Sequence, residues 1–111
     1  MEGCIRVARQ EEISERQGKL VKVGDEEIAL FRVGSDIVAV GNVCPHQRFS
    51  KIHEGEVSEG IVTCPMHGWR FDLRTGRSVN NSGRLKWYRT GVNKGEVWIE
   101  AGSLNEQGKG V

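Results

Sequence analysis

Two short motifs constrain this chain more than anything else in it. They are Cys44-Pro45-His46 and, seventeen residues later, Cys64-Pro65-Met66-His67. Each offers one soft thiolate and one imidazole, and each carries a proline that restricts the backbone beside its donors. One such pair arises easily by accident. Two mixed pairs close together point to a metal centre, and three readings stand side by side. The plainest is two buried cysteines and two surface histidines with no shared role. The second is a structural zinc site with two Cys and two His ligands, although zinc modules usually gather both cysteines on one knuckle and both histidines on another. The third is a [2Fe–2S] centre, two irons bridged by two sulfides, in which two histidines replace two cysteines on one of the irons.

Donor chemistry favours the third reading. Two irons must be served, and each knuckle gives its Cys to one iron and its His to the other. Four thiolates around an oxidised [2Fe–2S] core leave a dianion. Two thiolates and two neutral imidazoles leave a neutral site, to which an electron adds at lower cost. Centres of this kind therefore have higher potentials than all-cysteine ones.

The segments Cys44-Pro45-His46, Cys64-Pro65-Met66-His67-Gly68-Trp69 and Arg70-Phe71-Asp72-Leu73-Arg74-Thr75-Gly76-Arg77 resemble the Rieske-type ferredoxins. The likeness is to bacterial ferredoxins that feed ring-hydroxylating oxygenases and to the small subunit of assimilatory nitrite reductase, and it runs from about Ile5 to Glu100. It implies an all-β Rieske iron-sulfur domain, a small antiparallel barrel or sandwich with an inserted cluster-binding subdomain and both histidines at its exposed tip. It implies one [2Fe–2S] cluster, with Cys44 and Cys64 on the inner iron and His46 and His67 on the outer one. The implied function is a soluble one-electron carrier between a flavin reductase and a terminal oxygenase, an electron-transfer protein rather than an enzyme. One alternative is the small subunit of an NAD(P)H-dependent nitrite reductase, partnered by its large subunit. Another, from a different class, is a zinc-bound interaction module.

Length and composition agree with this. The 111 residues make one domain, residues 1–111, with room for one modest core. The fifteen glycines are about twice the usual share and fit many turns between short strands. No apolar run approaches a membrane span, and the N-terminus has no signal-like apolar stretch, so a cytoplasmic monomer is expected. A net charge of +1 and the lack of an aromatic-basic platform argue against nucleic acid. Cys4 reads as an idle, half-buried thiol. Respiratory-complex members of the family carry an additional Cys in each ligand loop; the matching positions here are Phe49 and Met66, so no disulfide forms over the cluster.

Along the chain, Ile5-Arg6-Val7-Ala8 reads as a strand, residues 10–17 as a helical turn or loop, and Lys19-Leu20-Val21-Lys22-Val23 as a strand. Residues 27–33 and 37–40 form a hairpin around Gly34-Ser35-Asp36 that delivers the first knuckle. Residues 47–60 read as polar and irregular. Ile61-Val62-Thr63 delivers the second knuckle, Gly68 allows a tight turn, and Arg70-Phe71-Asp72-Leu73 returns as a strand to a turn at Thr75-Gly76. Residues 85–92 and 96–99 read as the last hairpin, around Asn93-Lys94-Gly95, and residues 102–111 as a disordered tail. The cluster-binding subdomain is expected at about 43–83.

In high-potential relatives a Ser two residues after the second His, and a Tyr two further on, donate hydrogen bonds to sulfur. The matching positions here hold Trp69 and Phe71, which also read as hydrophobic cover. A low potential follows, on the order of −150 mV. His53, the third histidine, reads as a solvated loop residue, since a fifth donor has no place. Residues 44–89 hold eight Lys/Arg against four Asp/Glu, and the rest of the chain eight against eleven. Within the basic stretch, Arg48, Lys51 and His53 are candidates for steering an acidic partner.

Overall fold

The computed structural model describes residues 4–15, 17–24, 26–42, 52–65, 68–79 and 83–100. Ten strands run through them: β1 (Cys4–Arg9), β2 (Lys19–Val23), β3 (Glu26–Val33), β4 (Asp36–Gly41), β5 (Glu56–Ser58), β6 (Ile61–Thr63), β7 (Arg70–Asp72), β8 (Trp87–Tyr88), β9 (Thr90–Asn93) and β10 (Glu96–Glu100). Short 3-10 turns occupy Gln10–Glu12 and Ile52–Glu54. The strands form three sheets, ordered β1-β10-β9, β2-β3-β4-β8 and β5-β6-β7, and every ladder is antiparallel.

The β3–β4 hairpin is the wall between two cores. Side chains alternate across a strand with period two. Ala29, Phe31 and Val33 of β3 and Val38 and Val40 of β4 face one core, with Ile52, Val62, Cys64, Phe71, Leu73 and Leu85. Ile28 and Leu30 of β3 and Ile37 and Ala39 of β4 face the other, with Ala8, Ile13, Tyr88, Val97 and Ile99. Register matches this division, since Phe31 pairs with Val38 and Leu30 with Ala39. Because both faces are covered, Ile28-Ala29-Leu30-Phe31 is an unbroken buried apolar run rather than an alternating one. Gly34, at φ +64°, turns the hairpin.

The β5-β6-β7 sheet lies in sequence between β4 and β8, and it closes the first core. Two expectations change here. The stretch read as irregular contains β5, joined to β6 by the two-residue turn Glu59-Gly60 with φ of 53° and 79°. Glu in the left-handed region hides a hairpin turn that Asn or Asp would have advertised. Residues 85–92, read as one strand, divide at Arg89. Trp87–Tyr88 pairs with β4, whereas Thr90–Asn93 pairs with β10. The Thr90 hydroxyl donates to the Ile37 carbonyl at 2.7 Å and so ties the two sheets at this corner. Alternation places a side chain on a face but does not say which sheet owns the face. The last hairpin turns at Lys94-Gly95, with φ of 54° and 78°.

Arg32 fixes the segment between β1 and β2. Its Nε donates to the Ile13 carbonyl at 2.9 Å, and its Nη2 to the Gln10 carbonyl at 2.7 Å.

Candidate metal centre

Of the four proposed ligands, Cys64 is among the described residues; Cys44, His46 and His67 lie outside them, as do Arg48, Phe49, Lys51 and Met66. Cys64 follows directly on β6 and is 1% exposed. It shares its core with Phe31, Val62 and Phe71, and Trp69 packs against the same cluster. The described residues on either side of Met66 and His67 are hydrogen-bonded to each other. Cys64 N–H donates to the Trp69 carbonyl at 2.7 Å, and Gly68 N–H donates to the Cys64 carbonyl at 3.1 Å. Gly68 has φ +73°, where a side chain would be strained. A thiolate at the end of a rigid strand, shielded from water on a packed base, suits a cluster ligand. Phe71 is fully buried on β7, paired with Val62, and its ring serves as cover within the core.

The first knuckle belongs to the segment 43–51, and both of its stems are described. It leaves β4 at Asn42 and ends at Ile52. Ile52 N–H donates to the Asn42 carbonyl at 3.1 Å, and His53 N–H donates to Asn42 Oδ1 at 2.7 Å. The two ends of the arm are therefore hydrogen-bonded to each other. Asn42 is 0% exposed, the one buried polar residue among those described. On its other side, Asn42 N–H donates to the Glu27 carbonyl at 2.9 Å and Nδ2 to Glu27 Oε1 at 3.3 Å.

The two stems also meet. Gly55, just past the Ile52–Glu54 turn, packs on the Thr63 carbonyl and the Val62 side chain. Thr63 immediately precedes Cys64. Gly18 holds the same turn from another side, donating its N–H to the His53 carbonyl at 3.1 Å while lying against the Phe31 ring.

His53 is not the solvated residue expected. Its side chain is 18% exposed, with Nδ1 3.0 Å from Asn42 Oδ1 and Nε2 3.7 Å from Glu54 Oε2. Asn42 Oδ1 already accepts a backbone N–H, so it is an oxygen, and the ring nitrogen facing it carries the proton. Neither the Asn42 contacts nor the Gly55 packing was anticipated from the sequence. The only local signal was an Asn at the end of an apolar strand, two residues before a Cys.

The fold and site define a small all-β domain whose packed base carries the stems of two loops, one of which opens with a buried cysteine. The family model for the Rieske [2Fe-2S] domain matches residues 3–89, and the chain belongs to that family. It is similar to the anthranilate 1,2-dioxygenase ferredoxin subunit of Burkholderia cepacia, 35% identical over 66 residues that make up 60% of each chain. It is also similar to a naphthalene 1,2-dioxygenase/salicylate 5-hydroxylase ferredoxin component from Ralstonia, 37% identical over 53% of this chain and 56% of that one. The match thus spans a little over half the length of these curated relatives. Among solved structures, the carbazole 1,9a-dioxygenase ferredoxin of Nocardioides aromaticivorans IC177 shares the fold with a TM-score of 0.81 at 24% identity, covering 88% of this chain and 97% of that one. A chain assigned as a nitrite reductase small subunit from Mycobacterium tuberculosis does so with a TM-score of 0.79 at 22% identity, covering 86% and 92%. Membership of the family favours the [2Fe–2S] reading over zinc.

Proposed function

We propose that this chain is a Rieske ferredoxin, a one-electron carrier between a flavin reductase and a terminal oxygenase. The carrying observation is the convergence of the two stems. The 43–51 segment opens and closes at Asn42 and Ile52, and its exit turn is seated through Gly55 on the strand that ends in Cys64. Cys44, His46, Cys64 and His67 are then the ligands, and residues 43–83 the cluster-binding subdomain within one domain. When bound, the cluster supplies a reversible one-electron couple.

The protein's own part is to hold the donors and to control access. Two thiolates and two neutral imidazoles leave the oxidised site uncharged, which favours electron uptake. Burial of Cys64 against Phe31 and Phe71 keeps water from one side of the centre. Partners named for the relatives, dioxygenase systems above all, suggest an oxygenase as the acceptor here. No helix among the described residues is long and apolar enough to cross a membrane, which suits a cytoplasmic carrier. In this reading the chain carries electrons for an oxidoreductase system, and the chemistry on substrate belongs to its partners.

Anaerobic purification tests this reading. Two irons and two acid-labile sulfides per chain are expected, with a rhombic EPR signal on reduction that is lost in Cys64→Ser. A colourless protein holding one zinc ion and no sulfide would overturn it. Stable copurification with a large flavin- and haem-containing partner would replace the oxygenase assignment by that of a nitrite reductase subunit.

A further inference from the structure

We propose that Asn42 is the positioning residue of the first ligand arm, a clasp that ties together the two flanks of the 43–51 segment. The inference rests on reading Cys44 and His46 as ligands. Each of the four polar atoms of Asn42 is engaged, and the engagements point in two directions. Backbone N–H and Nδ2 donate to Glu27 on β3, which anchors Asn42 to the wall between the two cores. Backbone oxygen and Oδ1 accept from Ile52 and His53, which lie past the far end of the arm. One residue therefore ties scaffold, arm entry and arm exit together.

Only an amide side chain does both jobs at this position. Asp keeps the acceptor but brings a second carboxylate toward Glu27. Leu has the shape and neither polar group. The His53 ring adds a second donor to the same Oδ1, at 3.0 Å, which fixes the oxygen between two hydrogens. Gly18 and Gly55 hold the Ile52–Glu54 turn from two further sides. The exit of the arm is thus held entirely by protein groups. A closed arm lowers the entropy lost when the donors gather on the irons, so the clasp acts on cluster retention through Cys44 and His46.

The test compares iron release with stability in the loaded protein. Release of iron from the oxidised protein to excess EDTA requires local opening of the arm, whose population rises as closing hydrogen bonds are removed. Asn42→Ala is expected to release iron about tenfold faster than the parent, the effect of losing the bonds at a buried site. Asn42→Asp is made together with Glu27→Gln, which restores a donor opposite the new carboxylate 3.3 Å away, and this double variant is expected to remain within about threefold of the parent. Thr90→Val removes the Thr90–Ile37 bond far along the chain and is expected to lower the melting temperature without accelerating release. In the parent, amide exchange at Ile52 and His53 is expected to be as slow as in β6, in both the apo and the loaded protein. This measurement stands even if Asn42→Ala does not fold.

Parental release from Asn42→Ala would overturn the clasp. So would equal acceleration in the Asn42→Asp/Glu27→Gln double variant or in Thr90→Val, or loop-like exchange at Ile52 and His53 in the parent. Absence of sulfide from the parent would instead remove the functional reading, before any variant is made.

Discussion

Gly55 sits directly against the backbone carbonyl of Thr63, with no space between them for a methyl group. A Cβ at Gly55 would collide with that oxygen and stand 2.7 Å from Val62 Cγ2 and 3.1 Å from the Ile52 carbonyl. Two of these neighbours are backbone, which cannot swing aside. The contact joins the turn that follows residues 43–51 to the strand that ends beside Cys64.

Gly55→Ala is therefore expected to destabilise the fold by about 2 kcal/mol or more, in the range of overpacked cores. It should also lower the iron content of the protein as isolated, because the separation of the stems changes. Chemical denaturation of the apo protein and iron analysis of the loaded protein check the two effects independently. A fully loaded variant of parental stability would show that the stems tolerate separation.

Tyr88 provides a second prediction. Its hydroxyl donates to Glu26 Oε1 at 3.0 Å, and the same oxygen receives Lys86 Nζ at 3.2 Å. Burial, then the hydrogen bond to Glu26 and its negative charge, push the phenol well above its ordinary range. A raised phenol favours the folded state while the unfolded Tyr is still protonated. That stability is lost as pH rises from about 10, where the unfolded chain ionises first. Tyr88 is the only tyrosine, so phenolate absorbance reports on it alone. The absorbance should appear together with unfolding, not before it. Tyr88→Phe should flatten part of the alkaline fall in melting temperature and cost about 1 kcal/mol at neutral pH.

The potential gives a third. Trp69 packs at the edge of the core that holds Cys64, and Phe71 is buried within it; Phe71 has no hydroxyl to donate. A midpoint on the order of −150 mV is expected by protein-film voltammetry. Phe71→Tyr should raise it by about 60 mV, the equivalent of a tenfold preference for the reduced state in a one-electron couple. An unchanged midpoint would mean that this position acts by packing alone. A parental value above about +100 mV would contradict the low-potential assignment.

Charge supplies a fourth. Exposed Arg70, Arg74, Arg77 and Arg84 follow the second knuckle, and Arg48 and Lys51 belong to the first arm. Reversing Arg48 and Lys51 to Glu is expected to slow reduction by the partner about tenfold at low salt. The difference should shrink as salt screens it. Equal rates at low salt would exclude steering by this pair.

Much of the scaffold was legible in the sequence. The β2 boundaries, the β3–β4 hairpin with its Gly34 turn and the β6–β7 pair follow from apolar runs bounded by glycine. β5 was not legible, because three residues are too few for a period and Glu59 occupies a backbone region usually left to Gly, Asn or Asp. The division at Arg89 was hidden for another reason. Residues 87–88 and 90–93 have similar local character and differ in which strand lies beside them.

The candidate site divides along the same line. Its chemistry, two thiols and two imidazoles in paired knuckles, is a property of residue identity and short spacing, and the sequence by itself determined it. Holding those donors in place is a matter of contacts between residues far apart in the chain. Glu27, Asn42 and His53 meet around one amide, and Gly18, Gly55 and Thr63 crowd one short turn. A hydrogen bond depends on distance and direction in space. Only folding, by packing both faces of the β3–β4 wall, decided which polar groups would meet around Asn42.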